Sequence, residues 1–236
     1  MIAANITGFK NSGKTTLTAL LAAELRSRGH RVAALKNSHH DYNTTAGTDT
    51  EQLLENADIS GGSFADRTLL QFDKKLFITD LIPLIDADIL LLEGGKSTGC
   101  MPRIVITDSN LTQEETEQLH LDRAIYTLAK TDGTPSPAVI AEIASCIEKD
   151  AFLLPNLNCG GCGRENCAGL TADIVADNAK LKDCIALHGD ISIDIDGTPV
   201  SVNPFVADIF KAGITGMLAQ LKGYRKGDIT ITIKNG

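Results

Sequence analysis

Four cysteines are spaced Cys159-x2-Cys162-x4-Cys167-x16-Cys184, the first three within the glycine-rich run NCGGCGRENCAGL. Thiolates so spaced can occupy the four corners of a [4Fe–4S] cubane, with a tight loop supplying three and a returning segment the fourth. Gly160, Gly161 and Gly163 let the backbone turn around such a cluster and aim N–H groups at its sulfurs, which tunes its potential. Structural Zn²⁺ held by four thiolates is the alternative, but that site usually prefers two paired C-x-x-C knuckles and only one is present.

A second chemistry stands at the other end of the chain. GFKNSGKT, Gly8 to Thr15, fits the phosphate-loop pattern G-x-x-x-x-G-K-[ST] between an apolar run and a helical one. Its glycines let backbone N–H groups and a helix N-terminus point at phosphate. Lys14 can reach the β/γ-phosphate oxygens and Thr15 can sit on Mg²⁺, with Gly8, Asn11, Ser12, Gly13 and Thr16 completing the nucleotide set. Glu93 ends the apolar run Ile89–Leu92, where a carboxylate can orient a metal-bound water or activate the attacking one. An ordinary exposed strand-end acid is the plainer reading. Asp86 and Asp88 precede that run and are expected at the opposite end of the strand.

Two further stretches leave alternatives open. LKNSHHDYNTTAGTDT places His39, His40, Asp41 and Asp49 where metal or phosphate contact is possible, or where a solvated loop simply runs. LAKTDG offers Lys130 and Asp132 as part of a guanine-reading [NT]-K-x-D signature, but with Ala129 in the lead position. A bare strand-to-turn exit fits that segment equally, so GTP and ATP both stand.

These residues need a scaffold. IAANIT, HRVAALK, ADILLLE, RIVIT and AIYTLAK read as strands; helical periodicity falls near 15–28, 49–57, 113–120 and 136–148. Continuous apolar strands alternating with helices predict an α/β fold, a P-loop NTPase parallel sheet covered by helices. AGLTADIVADNAK is expected to be the helix returning the chain to Cys184. ISIDIDGTPVSVNPF reads as a hairpin turning at Asp196-Gly197. A helix then follows, whose apolar stripe (Phe205, Ile209, Phe210, Met217 among others) is expected to pack on its own domain, and DITITI reads as a last strand. The division predicted is residues 1–152 for nucleotide and 153–236 for a small α+β iron–sulfur domain, with its cysteine loop at 153–188 and its tail at 189–236.

The bulk properties narrow the class. Acidic residues outnumber basic ones 30 to 22, a net charge of −8 that argues against a broad nucleic-acid or anionic-membrane surface. No run approaches the ~20 apolar residues of a membrane span. MIAANITGF lacks the regions of a secretory signal, so a cytoplasmic protein is expected, its six cysteines serving metal or redox chemistry. Cys100 and Cys146 stand outside the cluster pattern and read as buried, inert thiols, Cys100 near the nucleotide-site strand.

GFKNSGKTTL, then LKNSHHDYNTTAGTDT, then ILLLEGGK followed by MPRIVI resemble, in that order, the molybdopterin-guanine dinucleotide biosynthesis protein B (MobB) family over about the first 110 residues. The resemblance implies a GTP-binding, weakly hydrolysing, homodimeric accessory protein. Such a protein assists the guanylyltransferase that joins GMP to molybdopterin, for a molybdenum or tungsten enzyme. It carries Lys14 and Thr15 to phosphate and Mg²⁺, puts Lys36, His39, His40 and Asp49 in the site region, and puts Glu93 and Lys96 at the strand end. Asn37 stands where the family usually has its first histidine. The cysteine loop resembles the small [4Fe–4S] domain of corrinoid iron–sulfur proteins and of some electron-transfer subunits. Two other readings fit the same residues: a nucleotide-switched electron-transfer protein, and a P-loop ATPase or GTPase that inserts or reductively activates another metal centre. Hydrolysis is expected to be slow without a partner, since no arginine finger is evident.

Overall fold

The computed structural model describes residues 1–38, 57–108, 110–131, 133–195 and 197–233. Strand β1 (Ile2–Gly8) opens the chain and is buried from Ala3 to Thr7 without alternation, as a strand covered on both faces must be. Helix α1 (Lys14–Ser27), β2 (Val32–Asn37), β3 (Ile59–Ser63), β4 (Thr68–Phe72), the short α2 (Ile78–Leu81), β5 (Ile89–Gly94), β6 (Arg103–Thr107), α3 (Gln113–Leu119), β7 (Ala124–Ala129) and α4 (Pro137–Asp150) follow. The main sheet runs β2-β5-β1-β6-β7 with every pairing parallel. All five strands expected from the sequence are in it.

Alternation along β5 divides two cores. Ile89 and Leu91 face Leu17, Leu21 and Leu25 of α1, in a core shared with Ile140, Ile143 and Ile147 of α4. Leu90 and Leu92 face the other way, against Met101, Phe152, Leu154 and Leu170 together with Cys100, Cys167 and Cys184. The second face of the sheet is thus covered by the cysteine-bearing segment. Replacing Leu21, which is fully buried, by Ala is expected to lower unfolding free energy by about 2–5 kcal/mol, read from denaturant midpoints at unchanged slope.

Beyond α4 come α5 (Cys167–Val175), α6 (Ile185–His188), the antiparallel pair β8 (Ile193–Ile195) and β9 (Thr198–Val200), and α7 (Pro204–Leu218). Gly197, at φ 80°, makes the expected tight turn between β8 and β9.

Several expectations need correction. DITITI forms no strand among the described residues. Its alternating β-branched residues supply propensity, but a strand also needs an edge to pair with. Helix α7 forms, yet none of its residues is buried, and Phe205 and Met217 remain 73% and 69% exposed. Periodicity says which face would be covered, not what covers it. The hairpin of β3 and β4 was not expected, because ISGGS carries two glycines and little apolar alternation. The helix expected near 49–57 falls almost wholly outside the described residues. Asp86 and Asp88 do lie at the far end of β5, where both pair with Arg31; the guanidinium holds the Asp88 carboxyl down to about 2.

Candidate functional site

The phosphate loop sits between β1 and α1. Gly13 caps α1 at φ 87°, a left-handed conformation open to glycine, and contributes no side-chain cap. By contrast α3, α4, α5 and α7 are capped by the side chains of Thr112, Ser136, Asn166 and Asn203. The first amides of α1 therefore keep their hydrogen-bonding capacity for a ligand, at the positive end of the helix dipole. Ser12 Oγ is buried with no partner among the described residues, a further donor beside that end.

Register explains how Glu93 arrives there. Ile6 of β1 is level with Glu93 of β5, so the acid stands beside the strand that leads into the loop. Buried Asn5 fixes this end by donating from Nδ2 to Leu92 O at 3.0 Å and to Gly94 O. Thr15 Oγ1 donates to Glu93 Oε1 at 2.7 Å, and Lys36 Nζ lies 3.4 Å from the same oxygen. Glu93 is 7% exposed, so the plain exposed-acid reading fails.

Lys14 Nζ donates to Phe9 O at 2.6 Å, within its own loop. Burial lowers its pKa; Glu93 opposes that, and Lys96 and Lys36 reinforce it. Lys96 Nζ stands 4.4 Å over the Phe9 ring, its pKa lowered by burial and then by Arg103. Lys36 and Lys96 both act on Lys14, and with Glu93 the one acid among the described residues acting on it, the group keeps a cationic excess that a polyphosphate would neutralise.

Beside the loop opens a cleft of about 310 Å³, bounded by Asn11, Ser12, Gly13 and Thr16 on one side and by Leu128, Lys130, Thr131 and Pro135 on the other. The Lys130 N–H donates to Thr107 O at 2.8 Å, which ties the segment after β7 to β6. Ala129, Lys130 and Thr131 thus border the phosphate loop across the cleft. His39, His40, Asp41, Asp49 and Asp132 lie outside the described residues. Sequence reasoning missed Arg103, which is fully buried and donates to Leu119 O, Thr98 O and Lys96 O, holding the loop that carries Lys96. An arginine inside the apolar run RIVIT was the available signal.

The second site is a cavity lined by Cys159, Cys162, Cys167 and Cys184. Cys159 is exposed, Cys162 half-buried, and Cys167 and Cys184 buried. Cys167 opens α5 and Cys184 precedes α6. Burial pushes the Cys167 thiol up, opposed by the N–H groups of Asn158 and Asn156, both at positive φ. Burial likewise raises Cys184, opposed by the N–H groups of Leu187 and Ala186. Amides aimed at sulfur are what an anionic thiolate or a cluster sulfur requires. No group of three or more His, Cys, Asp or Glu side chains among the described residues is gathered as a single-ion site. The four cysteines line one cavity, and with the amides they form a donor set that suits an iron–sulfur cluster. Cys100 is buried, as expected, and its thiol is pushed up to about 11 by that burial; Cys146, also expected to be buried, is only half-buried, on α4 at the opposite face.

No helix among the described residues is long and apolar enough to cross a membrane. The chain matches no curated protein. Among solved structures it is similar to Bacillus subtilis MobB, at 23% identity over 62% of this chain and 98% of that one, with a TM-score of 0.47. It is also similar to a MobB protein homolog from Bacillus stearothermophilus, at 21% identity over 63% of this chain and 96% of that one, with a TM-score of 0.43. Residues 154–186 match the family described as "Putative Fe-S cluster". Residues 3–130 match the molybdopterin guanine dinucleotide synthesis protein B model, and with more than half its length so covered the chain belongs to the MobB family.

Proposed function

We propose that the chain binds GTP with Mg²⁺ and assists formation of molybdopterin guanine dinucleotide for a molybdenum or tungsten enzyme, holding a [4Fe–4S] cluster on Cys159, Cys162, Cys167 and Cys184. The reading rests on the Thr15–Glu93 hydrogen bond at the open end of α1, with Lys14 and Lys36 around it. Lys14 would leave Phe9 O for phosphate oxygens, and Glu93 would orient the attacking water. Gly8, Asn11, Ser12, Gly13 and Thr16 would line the polyphosphate, Lys96 would add charge, and Lys130 with Asp132 would contact the base. Mg²⁺, when bound at Thr15, supplies neutralisation of developing phosphate charge. With no arginine finger evident in the sequence, turnover without a partner would be slow. Residues 1–152 form the nucleotide-binding part and 153–236 the cluster-bearing part of a homodimer. Its partners are a guanylyltransferase or molybdoenzyme and molybdopterin itself.

The test compares GTP with ATP by fluorescent-analogue titration. GTP is expected to bind about tenfold more tightly, and Lys130→Ala to remove most of that difference while the affinity for inorganic triphosphate holds. Equal affinity for the two nucleotides in the unaltered chain would move the reading to a P-loop ATPase serving another metal centre.

A further inference from the structure

The segment that leaves β5 at Glu93 and reaches Met101 touches both sites. At its start, Glu93 accepts from Thr15 and Lys96 lies over Phe9, so two of its residues rest on the phosphate loop. Gly94 and Gly95 turn the chain there at φ 81° and 65°. In its middle, buried Arg103 holds the carbonyls of Lys96 and Thr98. At its end the segment is gripped by the cysteine-bearing part. Thr171 Oγ1 of α5, wholly buried, donates to Gly99 O at 2.8 Å, and Leu154 N donates to Cys100 O at 2.8 Å. A Cβ added to Gly99 would meet Ala168 Cβ at 2.5 Å, so backbone and helix are in direct contact. Ala168 follows Cys167, the thiol that opens α5.

We propose that this segment is a strap that couples nucleotide occupancy to the electronic state of the cysteine site. The inference rests on the function proposed above for both sites. A nucleotide that engages Thr15 takes that hydroxyl from Glu93, whose carboxylate is left to Lys36 and shifts at the residue on which the strap begins. Between Glu93 and Gly99 the strap is held at so many points that a displacement at one end has little room to dissipate in a close-packed interior. It is delivered to α5 at Ala168, beside Cys167, and changes the fit of the amides and thiols around the cluster. Coupling of this kind is reciprocal: nucleotide shifts the potential, and reduction shifts nucleotide affinity by the same factor.

The experiment uses the full chain purified without oxygen. The cluster's midpoint potential is measured by redox titration followed by electron paramagnetic resonance, with and without a β,γ-imido GTP analogue and Mg²⁺. The affinity for the analogue is measured separately on oxidised and on dithionite-reduced protein. A roughly tenfold affinity difference is expected, equal to about 59 mV for a one-electron couple, with the two measurements agreeing. Thr171→Val, which keeps the side-chain volume and removes the bond to Gly99 O, is expected to shrink both effects while iron, sulfide and analogue affinity stay near their normal values. Analogue bound and cluster present, with neither quantity moved by the other, overturns the strap and leaves the proposed function standing. GTP bound with no acid-labile sulfide in the chain removes the cluster itself, and the coupling with it.

Discussion

Lys14→Ala is expected to lower nucleotide affinity by about 100-fold or more, roughly 3 kcal/mol, as loss of a charge-assisted contact to a polyphosphate implies. Calorimetric titration with GTP and Mg²⁺ reads it directly. The size follows from the surroundings of the ammonium. It is partly desolvated, held by Phe9 O across its own loop, and already crowded by Lys36 and Lys96, so a polyanion relieves the crowding as well as making contacts. Lys36 and Lys96 cannot replace it, because they approach from β2 and from the segment after β5, not from the loop that wraps phosphate. Lys14→Arg separates charge from shape and is expected to recover only part of the affinity, since a planar guanidinium does not fit where a compact ammonium does. An alanine variant that binds GTP as well as the unaltered chain would remove the phosphate loop from the site.

The second large effect concerns the cysteines. Cys184→Ser is expected to cut iron and acid-labile sulfide to less than about half of the unaltered content, and to lower the thermal midpoint by several degrees. The thiol is 6% exposed, it lines the four-cysteine cavity, and it belongs to the core that covers the second face of the sheet. Cys146→Ala is the matched control. That thiol sits on α4, on the opposite face of the sheet, and full iron content is expected in its absence. If the unaltered chain instead carries about one zinc and no sulfide, the loop is a structural clip, the alternative that the cysteine spacing left open.

Much of this could be read from the chain because the decisive signals are local. The glycines of GFKNSGKT, the end of an apolar run at Glu93 and the spacing of Cys159 and Cys162 each express a short-range geometric demand. Parallel strands announced themselves by unbroken apolar runs, since both faces of IAANITG and ILLLEG are covered. What stayed hidden depends on partners distant in sequence. Nothing near Leu170 says that it packs beneath Leu92, and nothing near Thr171 says that it reaches Gly99. DITITI and the α7 stripe show the converse: strong local preference, with no distant surface among the described residues to receive it. Arg103 was hidden for a third reason. A charge in an apolar strand reads as an interruption until the carbonyls it serves can be seen.

The core that Cys167 and Cys184 share with Leu90 and Leu92 would give the proposed cluster, once bound, a role in the chain's survival. A group that binds only the folded form raises the free energy of unfolding in proportion to the logarithm of its availability. A cell short of iron or sulfide would therefore hold a larger unfolded fraction of this protein, with the sheet that carries the phosphate loop exposed to proteases alongside the empty thiols. Supply of inorganic sulfur and metal would set the abundance of the nucleotide-binding part, without any dedicated sensor.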